Sequence, residues 1–71
     1  MTLTVILEQT SRNWGAYTPD EIGVVAATGQ TREETIRNFR EALRFHLDGL
    51  REDGKAVPEV TALEVRELVA A

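Results

Sequence analysis

The sequence predicts a two-layer α+β domain of order β-β-β-α-β, an antiparallel sheet covered on one face by a single long helix. Three observations carry that reading. Residues 31–54, TREETIRNFREALRFHLDGLREDG, hold a helix start signal, an unbroken helical periodicity and a stop signal. Residues 2–9 alternate apolar and polar in the manner of a half-buried strand. Between them lie two further short strand-like runs separated by turn residues.

The first strand is Thr2 to Gln9. Leu3, Val5 and Leu7 share one face, and Thr2, Thr4, Ile6 and Glu8 the other. Ile6 interrupts the polar face and is a candidate interface residue. Thr10 to Asn13 reads as a turn, and Asn13 to Thr18 as the returning antiparallel strand. Trp14 and Tyr17 fall on opposite faces of that strand, so at most one lies under the helix. The other covers the outer face of the sheet or touches a partner. Pro19 cannot donate to a ladder and Gly23 permits positive φ, so Pro19 to Gly23 is a loop. Val24 to Thr28 is the third strand.

Thr31 and Glu34 form a T-x-x-E capping box, in which each side chain can satisfy an orphan N–H at the helix start. Ile36, Phe39, Leu43, Leu47 and Leu50 recur at steps of three and four and make one apolar stripe. Gly54 suits the left-handed position just beyond a helix end. On the outer face, Glu33–Arg37–Glu41 and Arg44–Asp48 stand at i,i+4 and can pair, as on a usual solvated helix face. After the helix, Lys55 to Val60 contains Pro58 and reads as an extended connection. The tail, Thr61 to Ala71, admits two readings. Leu63, Val65, Glu67 and Val69 alternate like a strand, while TALE is also a capping box in a segment rich in helix formers. A ten-residue helix standing alone is marginal, and Val60, Val65 and Val69 are β-branched, so a strand is expected.

With 71 residues the chain is one domain, residues 1–71. A chain this short buries only about 60% of the surface its unfolded form exposes. It has no cysteine to staple it. A homodimer, higher homo-oligomer or docked partner is therefore expected. The net charge of −4 opposes non-specific nucleic-acid binding, which relies on Lys and Arg neutralising phosphates. It suits a basic partner, although surplus carboxylates also simply keep small proteins dissolved. No apolar run approaches the roughly 18 residues of a membrane span, and the N-terminus has no signal-peptide pattern. A cytoplasmic location without membrane contact is expected.

Candidate chemistry is sparse. His46 is the single histidine and there is no cysteine, so no metal-ligand set is expected. It lies at the edge of the apolar stripe, as boundary residues often do. Ser11 and the threonines have no triad around them, and the glycines lack phosphate-loop spacing. No catalytic residue and no cofactor are expected. Phe45 stands about 180° from Ile36 on a helical wheel, opposite the stripe, with small Ala42 and Gly49 beside it. Those small neighbours permit another chain to approach closely. Ile6, Trp14, Tyr17, Ala42, Phe45 and Gly49 are accordingly the candidate partner or oligomer interface.

Several of these residues resemble a known family. Trp14-Gly15-Ala16-Tyr17-Thr18-Pro19-Asp20, Gly23, Thr28-Gly29-Gln30-Thr31-Arg32-Glu33-Glu34, Asn38 and Glu41-Ala42-Leu43 are similar to the N-terminal domain of HicB-like antitoxins. Leu50-Arg51-Glu52-Asp53-Gly54 and Pro58 continue the likeness. The resemblance implies a partial ribonuclease-H-like fold without catalytic acids. It implies an antitoxin of a type II toxin–antitoxin system, which binds a small basic HicA-like mRNA-cleaving toxin and blocks it by occlusion. Opposite charge on antitoxin and toxin would speed that encounter. Many family members continue into a DNA-binding segment. This sequence ends at Ala71, so direct DNA binding is not expected. The loop reads Glu21-Ile22-Gly23 where the family often has Leu-Pro-Gly. Two alternatives stand beside this reading. One is a stand-alone homo-oligomeric regulatory or scaffold domain of the same fold. The other is a metal-dependent nuclease using Asp20, Glu21 and Glu34.

Overall fold

The structure is a computed structural model and describes residues 1–19 and 24–69. The element order is β1 (Thr2–Gln9), β2 (Trp14–Tyr17), β3 (Ala26–Gly29), α1 (Arg32–Glu52) and β4 (Ala62–Val69). This is the α+β class and the order the sequence predicts, and the tail resolves as a strand. The expected Pro19–Gly23 loop falls mostly outside the described residues, as do Asp20 and Glu21.

β1, β2 and β3 form an antiparallel meander. β4 adds parallel to β1, so the sheet is mixed, in the order β3-β2-β1-β4, and not the antiparallel sheet that the sequence predicts. The length of the helix explains this fourth strand. β3 runs in the same direction as β1, and the 21 residues of α1 carry the chain back about 31 Å. The chain therefore starts β4 at the end where β1 starts, as a strand–helix–strand crossover requires. The Met1 N-terminus donates to the Glu59 carbonyl at 2.7 Å, and Thr61 N–H donates to the Met1 carbonyl at 3.0 Å, fixing that start.

The turns use local polar chemistry. Between β1 and β2 the Thr10 hydroxyl oxygen accepts from Arg12 and Asn13 N–H, and Thr10 N–H donates to the Asn13 carbonyl at 2.8 Å. Between β2 and β3 the buried Thr18 exchanges two bonds with Val25. Its N–H donates to the Val25 carbonyl, and its hydroxyl accepts from Val25 N–H. β3 starts at Ala26, two residues later than the sequence suggests, which leaves Val24 outside the ladder.

The capping box forms with one variation. Thr31 Oγ1 accepts from Glu34 N–H at 3.0 Å, and the Glu34 carboxylate reaches one residue further back, to Gln30 N–H at 3.1 Å. At the other end Gly54 has φ 70, Gly54 N–H donates to the Arg51 carbonyl and Lys55 N–H to the Leu50 carbonyl. Together these make the Schellman closure that a glycine permits.

Leu3, Val5, Leu7, Ala16, Val25, Phe39 and Leu43 form the buried core, with Trp14, Ala27, Ile36, Leu47, Leu63 and Val65 packed at its margin. Phe39 and Leu43 anchor the predicted stripe, while Ile36, Leu47 and Leu50 are half-buried. Thr35 is also fully buried, and its hydroxyl donates to the Thr31 carbonyl at 2.7 Å, which removes the cost of burying it. The helix lies off centre. Its closest backbone approach is to β3 and β2, and β4 lies further out, with Leu63 and Val65 half-buried at the margin of the core. The Arg32–Glu67 ion pair at 2.7 Å crosses the gap at one end.

Candidate partner-binding surfaces

The predicted interface residues fall in three places. Trp14 pairs in register with Gln9 and Gly29, on the helix side of the sheet, where it packs half-buried against the core. Tyr17 lies on the outer face directly opposite Ile6, which in turn stands opposite Arg66. The two aromatics thus take opposite faces, as period-2 geometry dictates. No helix covers the outer face, and Tyr17 and Leu68 expose much of their side chains there.

Ala42, Phe45 and Gly49 come together at the third place, the crevice between α1 and the edge strand β3. With Val24, Ala26 and Leu50 they line a hollow of about 470 Å³. Phe45 is 82% exposed and Val24 83% exposed. Two large apolar side chains therefore stand open to solvent on the same crevice. Asn38 fixes the helix to this edge, its amide donating to the Thr28 carbonyl at 2.9 Å. His46 is half-buried and lines the same hollow. The sequence marks Phe45, Ala42 and Gly49 but misses Val24, because its alternation reads as part of the strand.

Charge on the helix is partly segregated, with Glu33 and Asp48 standing among the arginines. Glu34, Glu41 and Glu52 lie at spacings of eleven, four and seven from Phe45, which places them along the Phe45 shoulder. Arg37, Arg40, Arg44 and Arg51 lie along the other shoulder, toward β4. The i,i+4 pairs that the sequence allows do not form. Asp48 pairs with Arg51 at 3.3 Å, and the remaining ion pairs among the described residues are Arg32–Glu67 and Arg66–Glu64. Exposed i,i+4 pairs gain only a few tenths of a kcal/mol, which the entropy of two long side chains offsets.

Among the described residues, no three of His, Cys, Asp and Glu come together as a metal-ion group. The Glu34 carboxylate is engaged in the helix cap. No helix among the described residues is long and apolar enough to cross a membrane.

A half-covered mixed sheet under one helix, with open apolar side chains set among charges, defines a small α+β domain whose exposed surfaces are suited to contact. A family model described as HicB_like antitoxin of bacterial toxin-antitoxin system matches residues 3–70, and the chain belongs to that family. The chain is also 30% identical over 64 residues to an uncharacterized 14.9 kDa protein of Haemophilus phage HP1, from the rep-hol intergenic region. That match covers 90% of this chain and 47% of the phage protein, so the chain spans about half the length of that relative. No solved structure matches the chain.

Several residues that carry the family likeness hold the fold in place. Gly29 lets β3 pass under Thr35, Glu34 caps the helix, Asn38 ties it to β3, and Gly54 closes it.

Proposed function

We propose that this protein is an antitoxin-like binding module that neutralises a small basic, HicA-like mRNA-cleaving toxin by covering it, without catalysis of its own. Membership of the antitoxin family supports the class of function. The observation that carries the surface is the hollow around Phe45, open and largely apolar, with Glu41 one helical turn away on the same shoulder. A buried aromatic anchor ringed by complementary charge is the usual composition of an energetically dominant contact. Asp53 and Lys55 supply one charge of each sign to the lining of the hollow.

The test is growth rescue. A small basic HicA-like toxin is induced in cells with and without this protein. Native protein restores growth, and Phe45→Asp fails to restore it while accumulating to the same level. Rescue by Phe45→Asp equal to the native protein contradicts the assignment of this surface.

A second reading, a self-associating domain, is favoured by a different observation. The uncovered outer face carries Tyr17 opposite Ile6, with Leu68 exposed nearby. The two readings use different faces, so one molecule can do both.

A further inference from the structure

We propose that the cleft between α1 and β4 binds an extended acidic segment of another protein, added as a strand along the free edge of β4 with glutamates at alternate positions facing the helix. This goes beyond the toxin reading, because the cleft lies on the other shoulder of the helix and has the opposite charge.

Three observations converge. First, the helix sits over β2 and β3, which leaves a hollow of about 350 Å³ beside β4, floored by Leu43, Leu47, Val60 and Leu63. Second, the wall of the hollow is cationic. Arg40, Arg44, Arg51 and Asp48 line it; Arg51 and Asp48 pair with each other, and neither Arg40 nor Arg44 makes an ion pair among the described residues. Third, β4 is an edge strand, bonded to β1 on one side, and among the described residues no strand pairs with its other edge. An open edge takes up an extended peptide through main-chain hydrogen bonds, and the side chains on alternate positions then supply selectivity.

The spacing agrees. Arg40 and Arg44 are four residues apart on a helix, about 6 Å along its axis. Alternate residues of a strand stand about 6.6 Å apart on one face. Two glutamates at i and i+2 of the added strand would therefore meet the two guanidinium groups in turn. Their methylenes would lie on the aliphatic floor, as long charged side chains do at apolar surfaces. Single-stranded nucleic acid fits less well, since the floor has no aromatic side chain on which a base can stack. At the far end the Arg32–Glu67 pair closes the gap between helix and strand.

The test uses the whole protein and an acetylated peptide of alternating glutamate and threonine, about eight residues long. Amide chemical shifts are followed by NMR during titration, with a glutamine–threonine peptide of equal length as control. The proposal expects the largest shifts in β4 and around Arg40 and Arg44, and affinity at least about tenfold weaker for the glutamine peptide. The double variant Arg40→Glu, Arg44→Glu is expected to lose a similar factor, while its melting temperature stays that of the native protein. Arg40→Gln, Arg44→Gln serves as the milder pair should charge reversal disturb folding. Absence of shifts at millimolar peptide overturns the proposal. So do equal binding of the glutamine peptide, shifts confined to the Phe45 hollow, and peptide displacement by polyuridine. A dimer that the arginine variants abolish would give the cleft to a second copy of this chain, and also overturns it.

Discussion

Gly29 sits where β3 passes beneath the first turn of α1, and its missing side chain sets how closely the two elements pack. A Cβ built there would stand 2.6 Å from the Thr35 hydroxyl and 2.8 Å from the Thr35 amide nitrogen. The amide belongs to backbone held by the Thr31 carbonyl at 3.0 Å, so it cannot give way cheaply. Gly29→Ala is therefore expected to destabilise by about 1–3 kcal/mol, read as a lower urea midpoint with an unchanged slope. The sequence shows Gly29 as a linker into the helix cap, and Thr35 as an unremarked polar residue between Glu34 and Ile36. What makes them a contacting pair is the approach of helix to strand, which periodicity along one chain does not contain. Phe39 and Leu43, by contrast, are legible directly, because a stripe of period 3.6 must face whatever core exists.

At the scale of elements, both ends of α1 follow from residue type. Thr31 and Glu34 mark its start, and Gly54 its end. Since Gly54 holds φ 70 with open space around it, Gly54→Ala adds no clash and only the left-handed backbone cost. A loss of about 1 kcal/mol in thermal or chemical denaturation is expected. Phe45 is the converse case. With 82% of its surface in water, Phe45→Ala should change stability by less than about 0.5 kcal/mol, so any lost binding reports contact rather than folding. The strand in the tail was legible from Leu63, Val65, Glu67 and Val69, and their β-branched neighbours outweighed the competing capping box. Its parallel direction follows from the crossover. The cleft beside β4 was not legible, because it depends on the sideways offset of the helix over the sheet. A helical wheel locates Arg40 and Arg44 on a shoulder, yet gives no information on whether a strand lies beneath them.

The whole molecule is a two-layer fold with one layer half finished. Among the described residues a sheet of four strands carries one helix on one face, and the other face shows Tyr17 and Leu68 to solvent beside a half-buried Ile6. So short a chain has little core to spare, and association would bury this face. Light scattering at micromolar concentration is expected to give at least about twice the 7.9 kDa chain mass, whereas 7.9 kDa would contradict self-association. The family likeness ran along the whole chain, but most of its residues report the fold: a close-approach glycine, a cap, a tether and a helix stop. The surfaces assigned to partners carry fewer of those residues. Function therefore has to be read from Phe45, Val24 and the charges around them. The proposed occlusion of a basic nuclease is tested by titrating this protein into the RNA-cleavage reaction of a small basic HicA-like toxin. The account predicts that cleavage stops at a stoichiometric ratio, and that Phe45→Asp needs at least about tenfold more protein to stop it. Cleavage that continues unchanged in excess native protein would contradict the account.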